Sequence, residues 1–288
     1  MKILSLGRVH PWRHTRNWQP LVKNRPPVPV PVRGFEIICD WQDSFYLSLL
    51  FLGDFEKYES NILENIIRRG DMILDVGANV GYMTLLMALK SGPTGRVYSY
   101  EPVKRTFQKL QENIKHNEKL PLSEVILRRK GLGERAASIP IYLRAVVSGT
   151  GIDSGRSSII SDFSIAGYKV IAEQIELCRL DDENIEDKLT LVKCDIEGYE
   201  KAFFEGGMAT LSRDKPLLLF EWNPSPQSYT AEDIIAILRG ICDYEFFSIS
   251  EKGLIQVSQD ELKSQKFGNI LCAIRKLHQD RLGGLLSS

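Results

Sequence analysis

At 288 residues, with 37 Lys and Arg against 37 Asp and Glu, the chain can bury one full α/β domain and carries no net field directed at nucleic acid or anionic lipid. Its 5 cysteines are odd in number, scattered and without C-x-x-C spacing, which argues against a disulfide framework and fits reduced core cysteines in a cytoplasmic protein. No apolar run is long enough to cross a bilayer as a helix, and Ile3 to Leu6 is too short for a signal-peptide core.

Residues 1–33 read as a basic arm rich in Trp and Pro, since every Lys and Arg up to Arg33 precedes the first acid, Glu36. The run Arg25 to Val32 favours an extended, polyproline-like segment, and a surface-packed extension is expected over an amphipathic transit helix that its prolines would break. The main domain is placed at 34–276. Phe35 to Phe51 reads as strands or a hairpin capping that domain. Glu59 to Arg69 then puts Ile62, Leu63, Ile66 and Ile67 on one helical face, with Gly70 as its stop and the cofactor-side edge of the sheet as its place.

Met72 to Val76 is a short apolar run that ends in a turn and opens a helix, the pattern of a buried parallel strand. Gly77 and Gly81 are spaced Gly-x-x-x-Gly, with Asp75 two residues before the first. A dinucleotide fingerprint would read G-x-G-x-x-G, with pyrophosphate on the helix N-terminus, and an acid beside the turn suits a cationic ligand better than a phosphate. Asn79 stands where such turns often carry a middle glycine.

The helix after the turn is stopped by Ser91-Gly92-Pro93, and the next strand, Arg96 to Tyr100, ends at Glu101-Pro102. There a carboxylate at a neighbouring strand tip can accept both ribose hydroxyl hydrogen bonds, while Pro102 suits the first turn of the following helix. Glu124 to Leu127 is a third strand, followed by a loop, Lys130 to Gly133, and in an α/β fold of this kind the loop after the third strand commonly borders an adenine. Ile139–Leu143 and Val170–Leu177 are two further strands, and the 145–170 insert between them is either a mobile surface loop or a lid over substrate. Leu189 to Asp195 is the fourth core strand. Alternation places Lys193 and Asp195 on one face as a potential ion pair, and Glu200 opens a short helix ending near Gly206. Pro216 to Trp222, carrying Glu221, is the fifth core strand. A helix from Ala231 to Arg239 follows, capped by Thr230 and stopped at Gly240, then strands at Tyr244–Ser248 and Asn269–Ile274. Residues 277–288 read as a frayed tail.

The ordered set Asp75-Val-Gly-Ala-Asn-Val-Gly81, Tyr100-Glu-Pro102, Lys193-Cys-Asp-Ile-Glu-Gly-Tyr-Glu200 and Phe220-Glu221 resembles the FkbM family of S-adenosylmethionine-dependent methyltransferases over about residues 53–274. The resemblance implies a Rossmann-like, doubly wound sheet of seven strands, mostly parallel with the last antiparallel. It also implies methyl transfer to a hydroxyl of a small molecule, saccharide, glycolipid or natural product. The cofactor residues expected are Asp75, Gly77, Ala78, Asn79, Gly81, Glu101, Pro102, Gly131 and Asp195.

A hydroxyl acceptor needs its proton taken, and His10, His14, His116 and His278 all fall outside the predicted strand tips. Asp195 and Glu197 are therefore the first candidates for the base, Glu221 the next, and Lys193 the partner that tunes them. A divalent metal held by Asp195, Glu197 and Glu221 is the alternative route to an acidic hydroxyl, and the same acids could instead cap the helix and orient the cofactor's methionine end. The competing functions are an NAD-dependent oxidoreductase and a noncatalytic scaffold of the same fold. RNA methylation ranks lower, because Asp195-Ile196-Glu197-Gly198 repels phosphate and offers no stacking ring.

Overall fold

The computed structural model describes residues 26–40, 49, 53–146, 152–158, 168–224 and 228–286. Most of the basic arm, including His10 and His14, and much of the stretch up to Phe51 lie outside the described residues. Strand β1 (Val28–Val32) pairs antiparallel with β2 (Phe35–Cys39), so the chain passes residue 33 inside a hairpin. Pro29 and Pro31 fall on an edge strand, where no ladder donor is required of them.

The principal sheet collects β3 (Met72–Val76), β4 (Arg96–Tyr100), β5 (Glu124–Arg128), β10 (Leu191–Cys194), β11 (Leu217–Trp222), β12 (Glu245–Ser250), β13 (Gly253–Val257) and β14 (Gly268–Ala273). Their spatial order is β13-β12-β14-β11-β10-β3-β4-β5. The pairings among β5, β4, β3, β10 and β11 are parallel, and β14 runs antiparallel to both β11 and β12. An eighth strand, β13, extends the expected seven, because Ser250 and Gly253 close a hairpin across Glu251-Lys252. Chain order reverses between β3 and β10, and ligands of open parallel sheets bind outside the strand tips at such a switch.

The core strands serve both faces at once, which is why they read as unbroken apolar runs. Ile73, Leu191, Leu217 and Leu219 join one core with helices α1 (Lys57–Ile66) and α2 (Tyr82–Ser91). Leu74, Val192, Leu218 and Phe220 join the other, with α4 (Glu200–Gly206), α5 (Met208–Asp214) and α6 (Ala231–Ile241). Helix α3 (Lys104–His116) carries the asparagines that dock the N-terminal hairpin: Asn113 Oδ1 accepts from the Ile38 N–H at 2.8 Å, and Asn117 Oδ1 from the Glu36 N–H at 2.9 Å.

A second sheet, in the order β6-β9-β7-β8, is built from β6 (Gly131–Leu132), β7 (Ala137–Val146), β8 (Ile152–Ser158) and β9 (Tyr168–Cys178). Gly131 thus sits in a strand instead of the expected loop, and β8 lies within the 145–170 insert. Residues 147–151 and 159–167 of that insert lie outside the described residues.

Other boundaries are corrected as well. Helix α1 ends at Ile66. Helix α6 runs through Gly240 to Ile241 because burial of Leu238 and Ile241 outweighs the glycine's low helix propensity, while its Thr230–Asp233 capping box fits the expected start. The expected frayed end is helical, α8 (Arg275–Leu282), with His278 and Leu282 buried and Arg281 bonded to Asp71. A short α7 (Gln259–Ser264), opened by a Ser258–Glu261 capping box, precedes β14.

Candidate functional site

Strand β3 delivers the chain into a turn whose residues Gly77, Asn79 and Gly81 hold φ of 81°, 49° and 93°. Asparagine is the residue after glycine that best tolerates the left-handed region, so Asn79 keeps the backbone path a glycine would take. The glycines answer to the protein before any ligand. A Cβ on Gly77 would meet the Asp195 carbonyl oxygen at 2.0 Å, and one on Gly81 would meet Leu110 of α3 at 2.6 Å. The N–H groups of Gly77 and Ala78 both donate to the Tyr100 carbonyl at 3.0 Å, which ties the turn to the tip of β4.

Glu101 stands just past that tip, 6% exposed. Its Oε2 accepts from the Asn79 N–H at 3.0 Å and its Oε1 from the Val103 N–H at 2.9 Å. Each oxygen retains a second lone pair, and the carboxylate borders the cavity. Burial pushes its pKa up to about 7 against the pull of those two N–H donors.

Gly77, Ala78, Asn79, Glu101, Pro102 and Gly131 line a single cavity. Lys193, Asp195, Glu197 and Glu221 line the same cavity. Asp75 and Gly81 do not line it. Asp75 is fully buried behind the wall, where Thr84 Oγ1 donates to it at 2.6 Å and its register partner on β10 is Lys193, while Gly81 is spent on helix packing.

Among the cavity's charged residues Lys193 Nζ lies 3.3 Å from Asp195 Oδ2, the pair anticipated from strand alternation. Burial alone would lower the Lys193 pKa, but Asp195, Asp75 and Glu56 outweigh it and hold the ammonium charged. Burial, then the charges of Asp195 and Glu197, push Glu221 well above the carboxylate range. Glu197 takes a left-handed φ of 53° in the turn before α4. Buried Glu200 fastens that turn, its Oε1 accepting from the N–H groups of Ile196 and Gly198 at 3.2 Å each. His116 sits against Glu36 on the surface and His278 within α8, both away from the cavity. Among the described residues no group of three or more His, Cys, Asp and Glu is arranged to hold a metal ion.

The sequence reading missed several walls of the cavity. Ile141 on β7, with Ile175 and Leu177 on β9, packs as one apolar cluster that lines it, and Leu177 lies against Gly131. The alternation of Ile175 and Leu177 was the available signal, since it marks one apolar face. Phe55 and Glu56 enter from the start of α1, where an acid before an amphipathic helix gave no sign of facing a ligand. Tyr82 and Met83 come from α2.

The turn, the acid at the second strand tip and the flanking apolar ribbon suit a nucleoside, and the charged residues of the same cavity suit its polar extension and an acceptor. Residues 75–246, more than half of the chain, match the sequence model of the methyltransferase FkbM domain. Protein-L-isoaspartate O-methyltransferase of Caenorhabditis elegans is 32% identical over 93 residues, which are 30% of this chain and 41% of that protein's length. Among solved structures, methyltransferase FkbM from Methylobacillus flagellatus KT aligns at a TM-score of 0.45 and 16% identity, over 91% of this chain and 59% of that one. Aeropyrum pernix fibrillarin, with natively bound S-adenosyl-L-methionine, aligns at 0.39 and 14% identity, over 76% of this chain and 74% of that one.

Proposed function

The chain belongs to the methyltransferase FkbM domain family and so carries an S-adenosylmethionine-dependent methyltransferase domain, and we propose that it methylates a hydroxyl oxygen of a small molecule, saccharide, glycolipid or natural product. The observation that carries this reading is the placement of Lys193, Asp195, Glu197 and Glu221 in the same cavity as the glycine turn and Glu101. When bound, S-adenosylmethionine supplies a methyl group on a positively charged sulfur.

The chain's own part is to bind, align and accept a proton. Glu101 takes the ribose hydroxyls on its free lone pairs, and Gly77 to Asn79 shape the floor beneath them. Gly131, Pro102 and Ile175 flank the base. Asp195 accepts the acceptor's hydroxyl proton, with the Lys193 ammonium fixing its carboxylate at 3.3 Å and Glu197 the nearest substitute. Glu221, held protonated by burial and by the charge of Asp195, donates a hydrogen bond to the acceptor. Positioning of the nucleophile supplies much of the remaining acceleration.

The cavity's acidic residues work against a phosphate-bearing acceptor, which favours a sugar-like molecule over RNA. Cys39, Cys178, Cys194, Cys242 and Cys272 are all free thiols, which supports a reducing compartment such as the cytoplasm. Among the described residues no helix is long and apolar enough to cross a membrane.

The reading is tested by calorimetry with S-adenosylhomocysteine and NADH in parallel, then by transfer of labelled methyl to a panel of hydroxylated sugars. Binding of the first ligand alone, with label recovered as a methyl ether, is the expected result. NADH binding in its place, or label recovered only on nitrogen or carboxyl groups, would overturn the hydroxyl assignment.

A further inference from the structure

One wall of the cavity comes from outside the segment that matches the family, and its charged member is Glu56. Glu56 is the N-cap residue of α1, yet its φ of 44° and ψ of 55° are left-handed and its side chain caps no backbone N–H. An acid at that position ordinarily accepts from the first turn of its own helix. Here the carboxyl instead lines the main cavity, and also the small hollow that adjoins it beside Lys193 and Asp195.

A clamp sets this conformation. Arg33, at the turn of the N-terminal hairpin, donates from Nε to Asp54 Oδ1 at 2.9 Å and from Nη1 to Glu64 at 2.9 Å. Asp54 Oδ1 also accepts from the Phe55 N–H at 2.9 Å and from the Tyr82 hydroxyl at 2.7 Å. Tyr82 opens α2 directly after the glycine turn, so one carboxylate fixes both the segment that bears Glu56 and the helix that leaves the turn. Burial and the charge of Asp195 push the Glu56 carboxyl up to about 8 while Lys193 draws it back, so it holds a proton at neutral pH in the ligand-free chain and gives it up when a cation lies against it.

Resting on the methyl-transfer reading, we infer that Glu56 faces the transferred methyl from the acceptor side, its carboxylate lying against the cationic centre of the bound cofactor. Arg33 and Asp54 are positioning residues that act through it. A negative charge at that point steadies a sulfonium and has little to offer the neutral sulfide that remains after transfer.

That difference supplies the test. Sinefungin carries an ammonium-bearing carbon where S-adenosylmethionine has its methyl sulfonium, whereas S-adenosylhomocysteine leaves the same place empty. Both are titrated calorimetrically into the full chain and into its Glu56→Gln and Glu56→Asp variants, with melting curves to confirm folding. Glu56→Gln is expected to weaken sinefungin about tenfold, the effect of losing one charge contact, while homocysteine affinity stays within about twofold. Glu56→Asp is expected to recover part of the loss. An unchanged sinefungin-to-homocysteine ratio in Glu56→Gln, or equal loss of both ligands, would overturn the assignment of Glu56 and leave the methyltransferase reading standing. Failure of the unaltered chain to bind S-adenosylhomocysteine would overturn that reading, and this inference with it.

Discussion

The carbonyl oxygen of Asp195 lies 2.0 Å from the point a Cβ on Gly77 would occupy, so two neighbouring strand tips meet where the glycine turn begins. The backbone φ of 81° at Gly77 adds a second demand for glycine. Gly77→Ala therefore faces both a left-handed backbone and an overpacked contact, together about 3 kcal/mol. Urea unfolding is expected to show that loss, and calorimetry a loss of S-adenosylhomocysteine affinity as the tip of β10 is displaced. A loss under about 1 kcal/mol with binding intact would show that the two tips separate at little cost.

Glu101 links the stability of the fold to pH. Burial raises its folded pKa from 4.5 to about 7, so the folded state holds the proton more tightly than the unfolded one. That contribution to stability is complete below pH 4.5 and is lost as pH rises through about 7. Glu101→Gln is expected to flatten the pH dependence of urea unfolding across this window in the ligand-free protein. Its amide replaces an acceptor oxygen by a donor, so S-adenosylhomocysteine should bind about tenfold more weakly, the cost of about one hydrogen bond to a charged group. Unchanged affinity would remove Glu101 from the ribose site.

Much of this site was legible because its residues sit where sequence periodicity breaks. Gly77, Glu101 and Asp195 directly follow the last residues of β3, β4 and β10, and Glu221 is the last residue but one of β11, each beside a turn signal or at the limit of an apolar run. The Lys193–Asp195 pair followed from alternation alone. Asp75 lies off the cavity, and an acid near a strand's exit has the same spacing whether it faces the crevice or, as here, the Thr84 hydroxyl beneath the helix. Gly131 was read as loop because two residues are too few to show a strand's period. Glu56 gave no signal at all, since its placement depends on Arg33 and Asp54, and the Arg33–Asp54 contact spans 21 positions of sequence.

Asp195→Asn separates the base from a cofactor ligand. The amide keeps the size of the side chain but accepts no proton, and the loss of a general base costs about 10²–10⁴ in rate. Turnover with a hydroxylated acceptor is expected to fall by that order while S-adenosylhomocysteine affinity changes far less. Parallel losses in kcat and in affinity would make Asp195 a cofactor contact and move the base to Glu197.

Glu200 offers a structural control beside the chemistry. It is fully buried, does not line the cavity, and its Oε1 holds the Ile196 and Gly198 N–H groups that shape the turn bearing Glu197. Its Oε2 has no hydrogen-bond partner among the described residues, in keeping with burial that raises its pKa to about 7 and leaves it largely protonated below that pH. Glu200→Ala strands two N–H groups and should cost about 1–3 kcal/mol in urea unfolding, with turnover falling as Glu197 loses its fixed turn. Glu200→Gln retains an acceptor oxygen and should restore most of both. Full stability in Glu200→Ala would mean that water replaces the carboxylate. Full turnover despite lost stability would show that the turn before α4 keeps its shape without Glu200, detaching Glu200 from the placement of Glu197.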